Sequence, residues 1–323
     1  MNSLIRPRRL FVSGGSRLSP NAALLWQELG RRLARKGGPV VLTGGLAGRI
    51  STPEDKPADL AIVEGMLQGL KIDGIAPEER IETFLPDKDK DWNELKRFRE
   101  GRVITLEHRN AQSRRFSMVY SADVVISIEG EKGTHSVLDV ALAIDRPILP
   151  LPFAGGASAD AWRDHPQEVK TWFQLSDDEV ARFTATRLAE LDKLAISALA
   201  DEVHSCLMRG FARTCFVIMP FNSGHDPVYE KAIQPALEAR GLSPIRTDKH
   251  VLTGNVIAAI RDGLRHCFFA IADTTGDRPN VMYELGMAHA GNKPVILLRR
   301  AIDDGAMDAP FDLQTESNDQ ILR

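Results

Sequence analysis

Apolar residues along the chain come in short dense runs that end in glycine, separated by stretches whose apolar positions recur three and four residues apart. RRLFVSGGS is the first such run and predicts a strand; NAALLWQELGRRLARKG follows, with Leu24, Leu25, Leu29 and Leu33 at helical spacing. GGPVVLTGGL repeats the strand with its Gly-Gly end. A Pro- and acid-rich loop over Ser51 to Lys56, the helix-like DLAIVEGMLQGL and the polar DKDKDWNELKRFREGRV, which has no clean period, come next. The strand ADVVISIEG, a glycine-containing loop, the helix SVLDVALAID and the strand PILPLPF close the first half. Strands alternating with helices predict a parallel sheet covered on both faces.

Residues 153–165, FAGGASADAWRDH, read as a connecting loop, and Pro166 to about Arg209, Leu/Ala-rich, acidic and strand-free, as a helical pair that caps the first domain or spaces two domains. A second unit begins at RTCFVIMPF. It continues with the helix DPVYEKAIQPALEARG, whose Val228, Ile233, Ala236 and Leu237 share a face. PIRTD, the helix NVIAAIRDGLRHC, the strand FFAIAD, the loop TTGDRPN, the helix VMYELGMAHAG and the strand PVILLRR complete it. The expected fold class is α/β: two Rossmann-like or flavodoxin-like domains with parallel sheets, residues 1–165 and 211–323, joined by a helical linker or cap, 166–210.

With 323 residues, 43% hydrophobic and 26% charged, the chain can fill two cores. A formal charge of −3 and a pI of about 6.3 give no field for gripping phosphate backbones, so no direct nucleic-acid partner is expected. The basic RPRR near the N-terminus and the Arg299–Arg300 pair read as solvated charges flanking strands. Cys206, Cys215 and Cys267 lie far apart without CxxC spacing, which predicts neither a disulfide framework nor a zinc site and fits a reducing cytoplasm. MNSLIRPRRLFV lacks an apolar signal core, and no run approaches the roughly 20 apolar residues of a membrane helix.

Two segments share a plan: ADVVISIEGEKGTHSVLDVALAIDRPILPLP and FFAIADTTGDRPNVMYELGMAHAGNKPVILL. Laying Pro147 on Pro294 sets Glu284 opposite Val137, a carboxylate where the first copy is apolar. In open parallel sheets ligands gather at the carboxyl ends of strands. Three loops of the second unit qualify: Met219, Pro220 and Phe221; Arg246 to Asp248; and Asp273 to Asn280. The helix after Asn280 brings Glu284 within about one turn of its start, where the macrodipole favours an ionised carboxylate, with Tyr283 beside it.

CFVIMPF, DPVYEKAIQPALEARGL and ADTTGDRPNVMYELGMAHAGNKPVIL together resemble the nucleoside 2-deoxyribosyltransferase-like and TIR-like superfamily, particularly the effector versions of bacterial defence proteins. The resemblance runs from residue 213 to about 315 and includes PFDL at Pro310 to Leu313. It implies cleavage or exchange at the N-glycosidic bond of a nucleoside, nucleotide or NAD+. Glu284 maps onto the catalytic carboxylate and Asp273 onto the strand-end acid. The chemistry asks for a carboxylate beneath C1′ to meet an oxocarbenium-like state and for groups that hold sugar hydroxyls. Glu284 suits the first task and Asp273 the second; Phe221 can stack on a base, and Asn280 or Asp248 can fix hydroxyls.

In the first half, SRRFSMVYSADVVISIEGEKGTHSVLD resembles the SLOG superfamily over roughly residues 8–155. Arg114 and Arg115 match the basic pair of its phosphoribohydrolase members, and Gly130, Gly133 and Thr134 match their PGGxGTxxE loop. Glu129 and Glu131 replace the Pro and the second Gly, and Val137 stands at the catalytic Glu position. Asp139 lies about 200° from the Val137 direction on a helix. The resemblance therefore implies nucleotide binding without hydrolysis, by Ser13, Gly14, Gly15, Ser16, Gly44, Gly45, Arg114, Arg115, Gly133 and Thr134. The combined expectation is a cytoplasmic defence effector in which a nucleotide-derived signal drives homo-oligomerisation and hydrolysis of NAD+ or a nucleotide, with no cofactor or metal required. A constitutive salvage enzyme and a non-catalytic nucleotide-binding module are the alternatives.

Overall fold

A computed structural model describes residues 8–52, 55–86, 95–211, 214–220, 226–240, 242–246, 256–291, 293–299 and 321–322; Phe221, Asp248, Arg300 and the PFDL segment lie outside them. The chain is α/β and divides into two compact units, Met1–Phe211 and Ala212–Arg323.

The first unit is built on a parallel sheet of β1 (Arg9–Gly14), β2 (Val40–Thr43), β4 (Ile81–Pro86), β6 (Arg102–Leu106), β7 (Val124–Ile128) and β8 (Ile148–Leu151), in the order β6-β4-β2-β1-β7-β8. A short antiparallel pair, β3 (Leu46–Arg49) with β5 (Leu95–Arg97), stands apart from it. β1, β2, β7 and β8 are the continuous apolar runs expected of strands buried on both faces. β6 at the sheet edge and β4 beside it are not continuous apolar runs. β4 even buries Glu82, which is tolerated because Arg9 and Arg102 both bridge it.

Helix α1 (Pro20–Leu33) opens with Pro at its first position and buries Leu25, Trp26, Leu29 and Leu33, while Arg31 and Arg32 close its last turn. Helices α2 (Ala58–Asp73), α3 (Pro77–Arg80), α4 (Ala111–Ser121) and α5 (Lys132–Ala143) follow. Residues 153–165, expected to be a loop, instead form a 3-10 turn and helix α6 (Gly156–Asp164). Ala157, Ser158, Ala161 and Trp162 make its buried stripe, and Trp162 and Phe153 both pack on Phe183. Small residues diluted the apolar period that would have marked this helix.

The expected helical pair is three helices, α7 (Pro166–Phe173), α8 (Asp177–Ala185) and α9 (Lys193–Gly210). Their Val169, Phe173, Phe183, Ile196, Val203 and Leu207 belong to the first unit's core. Arg32 of α1 ties α9 to that core through Asp201 at 2.6 Å and the Ser197 carbonyl at 2.8 Å.

The second unit carries a parallel sheet of β9 (Thr214–Ile218), β10 (Ser243–Ile245), β11 (Phe269–Asp273), β12 (Val295–Leu298) and β13 (Ile321–Leu322), ordered β10-β9-β11-β12-β13. Helix α10 (Asp226–Val228) runs through a π turn, Tyr229–Ile233, into α11 (Gln234–Glu238); α12 (Val256–His266) and α13 (Pro279–Ala290) complete the described helices. Phe216, Ile218, Ala270, Ala272, Val281, Leu285 and Ala288 form its core, so α13 packs over β9 and β11.

Both strand orders reverse beside the first strand of their unit. In the first sheet the chain moves outward from β1 through β2, β4 and β6, then returns to β7 on the other side; in the second it moves from β9 to β10, then returns to β11. The crevices at such reversals are where open α/β sheets bind ligands, here at the carboxyl ends of β1 and β7 and of β9 and β11.

Candidate functional site

At the first crevice the predicted residues converge. Ser13 is buried at the end of β1, 3.5 Å from the Thr134 hydroxyl, which donates to the Gly14 carbonyl at 3.4 Å. Gly14 is required by close approach: a Cβ there would stand 2.7 Å from the Ala58 Cβ and 2.8 Å from the Ile128 carbonyl oxygen. Gly15 is half-buried and Ser16 exposed. Thr134 begins the inward stripe of α5, which continues with Val137, Leu138 and Ala141. Asp139 is exposed, so no carboxylate replaces the apolar Val137.

The two arginines part company. Arg114 is 5% exposed and donates to the carbonyls of Gly44 at 2.6 Å and Phe84 at 3.4 Å, so it serves the scaffold by joining β2 to β4. The Gly44 carbonyl also accepts from Arg97 at 2.8 Å, and a Cβ on Gly44 would strike the Arg114 guanidinium at 2.7 Å. Gly45 is buried in the left-handed region at φ 69°. Arg115 is half-buried, and its guanidinium lies over Gly133, where a Cβ would come within 3.1 Å.

The Pro-to-Glu departure at Glu129 has a visible consequence that sequence reasoning missed. Its carboxylate accepts from the Ser19 hydroxyl at 2.6 Å and from the Ser19 amide at 3.2 and 3.3 Å, so it sits at the start of α1. Glu129 adopts φ 50°, and its carbonyl accepts from the Ser158 amide at 3.1 Å and hydroxyl at 2.9 Å. An open cleft of about 800 Å³ lies there, lined by Arg17, Ser19, Gln27, Asp55, Lys56 and Glu129 among others.

At the second crevice, Asp273 ends β11 with 5% exposure, its Oδ1 accepting from the Thr275 amide at 3.0 Å. Glu284 is 4% exposed. It is the sixth residue of α13, about one and a half turns in rather than one, beyond the reach of the helix-end dipole. The inward stripe of α13 is Val281, Glu284, Leu285 and Ala288, position for position the counterpart of Thr134, Val137, Leu138 and Ala141. Both stripes have one polar member: Thr134 in the first place of one, Glu284 in the second place of the other. The connections differ too, with five residues (274–278) between β11 and α13 against three (129–131) between β7 and α5.

Met219 and Pro220 are buried after β9, whereas Asn280 and Tyr283 are exposed, Tyr283 by 56%. Arg246, fully buried at the end of β10, pairs with Asp226 at 3.0 Å and stacks on Tyr229 at 4.7 Å. Two of the arginines read as solvated, Arg9 and Arg299, are instead held in ion pairs. Arg9 bridges Glu82, and Arg299, 11% exposed, grips Asp277. That grip holds the Asp277 carboxyl below the usual carboxylate range. The three cysteines are buried and reduced, and burial pushes the Cys206 thiol up to about 12. Among the described residues no group of three or more His, Cys, Asp and Glu is placed to hold a metal, and no helix is long and apolar enough to cross a membrane.

No family model and no curated protein matches the chain. Three of the solved structures that resemble it do so over about half its length. The X-ray structure of TM1055 shows a TM-score of 0.34 at 25% identity, covering 48% of this chain and 81% of its own. The molybdenum cofactor binding protein from the phototrophic bacterium Rippkaea orientalis gives 0.33 at 23%, covering 45% and 76%. DNA processing protein A from Helicobacter pylori gives 0.34 at 17%, covering 49% and 73%.

Proposed function

We propose that the second unit breaks the N-glycosidic bond of NAD+ or a related nucleotide at Glu284, and that the first unit, a SLOG-like sensor without catalytic carboxylate, binds a nucleotide-derived signal that controls it. The observation that carries this reading is the burial of a carboxylate, Glu284, on the inward stripe of α13 beside the β9/β11 reversal, where the matching helix of the first unit has Val137. Burying an ionisable group costs free energy that an apolar side chain would not, so a working role is the economical account of it. The resemblance of this unit to deoxyribosyltransferase-like and TIR-like effectors supports the same assignment and an antiviral setting.

In the proposed reaction the bond between C1′ and the nicotinamide nitrogen breaks, its electron pair leaving with the ring, which becomes neutral. The Glu284 carboxylate meets the positive charge that grows at C1′, and Asp273 holds a ribose hydroxyl. Water adds to C1′ and gives up a proton. In the first unit the Gly14–Gly15 turn, Arg115, Gly133 and Thr134 take the signal at the β1/β7 crevice, while Arg114 holds β2 to β4. The test is product analysis of the full-length protein with NAD+ or deoxynucleosides, with and without cyclic and ADP-ribose-type nucleotides. Free nicotinamide that rises on adding a nucleotide supports the reading; base exchange between deoxynucleosides with no activator would replace it with a salvage transferase.

A further inference from the structure

Arg299 is the first residue past β12, and Leu298 is the register partner of Asp273. Its guanidinium reaches back across the sheet to the loop that joins Asp273 to α13. Nη1 donates to the Thr274 carbonyl at 3.1 Å and to Asp277 Oδ1 at 2.6 Å, and Nη2 donates to Asp277 Oδ2 at 2.9 Å. The Thr274 carbonyl also accepts from the Asp277 amide at 3.2 Å, and the Thr274 amide bonds the Leu298 carbonyl at 2.9 Å. One cation thus holds both ends of the turn 274–277 against the end of β12.

That turn needs holding. The connection that contains it, 274–278, is two residues longer than its counterpart in the first unit, and Gly276 and Asp277 both lie in the left-handed region, at φ 79° and 46°. A non-glycine residue there is strained and is retained only when its surroundings fix it. A bidentate fork fixes direction as well as distance, which a lysine ammonium cannot do. The turn in turn sets where α13 starts relative to the end of β11, and so how Glu284 stands to Asp273.

We infer that Arg299 is a positioning residue for the Asp273–Glu284 pair, acting through Asp277 and touching no substrate. The inference rests on the proposed N-glycosidase reading for its kinetic consequence but not for its structural one. Small misplacements of reacting groups cost rate rather than binding, by up to about 100-fold. Arg299→Gln and Asp277→Asn are therefore expected to lower kcat for nicotinamide release at least about tenfold with KM within about twofold, by that argument. Arg299→Lys falls between them and wild type. The double variant is no worse than Arg299→Gln alone, because that change already removes the contact with Asp277.

Amide hydrogen exchange of full-length protein supplies a readout independent of activity. Residues 274–278 should exchange at least about tenfold faster in Asp277→Asn, an exposed and conservative change, while residues 281–290 of α13 keep wild-type protection. Wild-type kcat in Arg299→Gln, or unchanged exchange in Asp277→Asn, overturns the inference. An inactive wild type with the expected exchange difference overturns the N-glycosidase reading and leaves the positioning of the turn by Arg299 standing.

Discussion

Val137 and Glu284 occupy the same place on two helices whose buried stripes are spaced alike. One unit puts a branched apolar side chain there, 1% exposed; the other puts a carboxylate, 4% exposed. The exchange is not neutral in either direction. Val137→Glu places a charge among Leu138, Ala141 and the β7 strand with no evolved partner, and should destabilise the first unit by about 3 kcal/mol or more. Chemical denaturation checks it; an unchanged midpoint would show that the site is wetter than its burial says.

Arg114 and Arg115 are adjacent but do different work. Arg114→Ala removes the buried donor shared by the Gly44 and Phe84 carbonyls, with Gly44 keeping its bond from Arg97, and should cost about 1–3 kcal/mol. Arg115→Ala, over Gly133 and half-buried, should leave stability within about 0.5 kcal/mol and weaken nucleotide binding instead. Thermal melts and calorimetric titration with ADP-ribose separate them, and equal melting losses would refute the division.

Glu129 carries two opposed terms. Its carboxylate caps Ser19 at the start of α1, but its backbone sits at φ 50°. Glu129→Ala loses the cap and keeps the strain, whereas Glu129→Gly loses the cap and sheds the strain. The glycine variant should therefore be the more stable of the two by about 1 kcal/mol. The reverse order in thermal melts would mean that Glu129 is not strained.

The Asp277–Arg299 pair adds a pH term. The folded carboxyl is held below its unfolded value, so the pair stabilises the fold above the unfolded carboxylate range of about 4. The contribution is lost as pH falls through the folded value. The melting difference between wild type and Asp277→Asn should be present at pH 7 and shrink as acidification carries the solution through that folded value. A difference that persists in acid would assign it to the turn backbone rather than to charge.

Much of this architecture could be read along the chain. β1, β2, β7 and β11 announce themselves because strands buried on both faces need continuous apolar runs, and their glycine or Asp ends marked the crevices. β4 and β6 escaped because a strand such as IETFLP carries a glutamate whose neutralising arginines lie 73 and 20 residues away. The α6 helix escaped because alanine and serine fill its buried stripe. The pair Val137 and Glu284 was legible from the internal echo alone. The roles of Glu129, Arg114 and Arg299 were not, since each depends on which distant carbonyl or carboxylate the fold brings to it.

Purified full-length protein is incubated with NAD+ and the activating nucleotide, and free nicotinamide is measured for wild type and for Glu284→Gln, which keeps the shape of the side chain and removes its charge. Steady release by wild type is expected, with a loss of at least about 100-fold in the variant at unchanged melting temperature. Equal release by the two proteins would contradict the role proposed for Glu284.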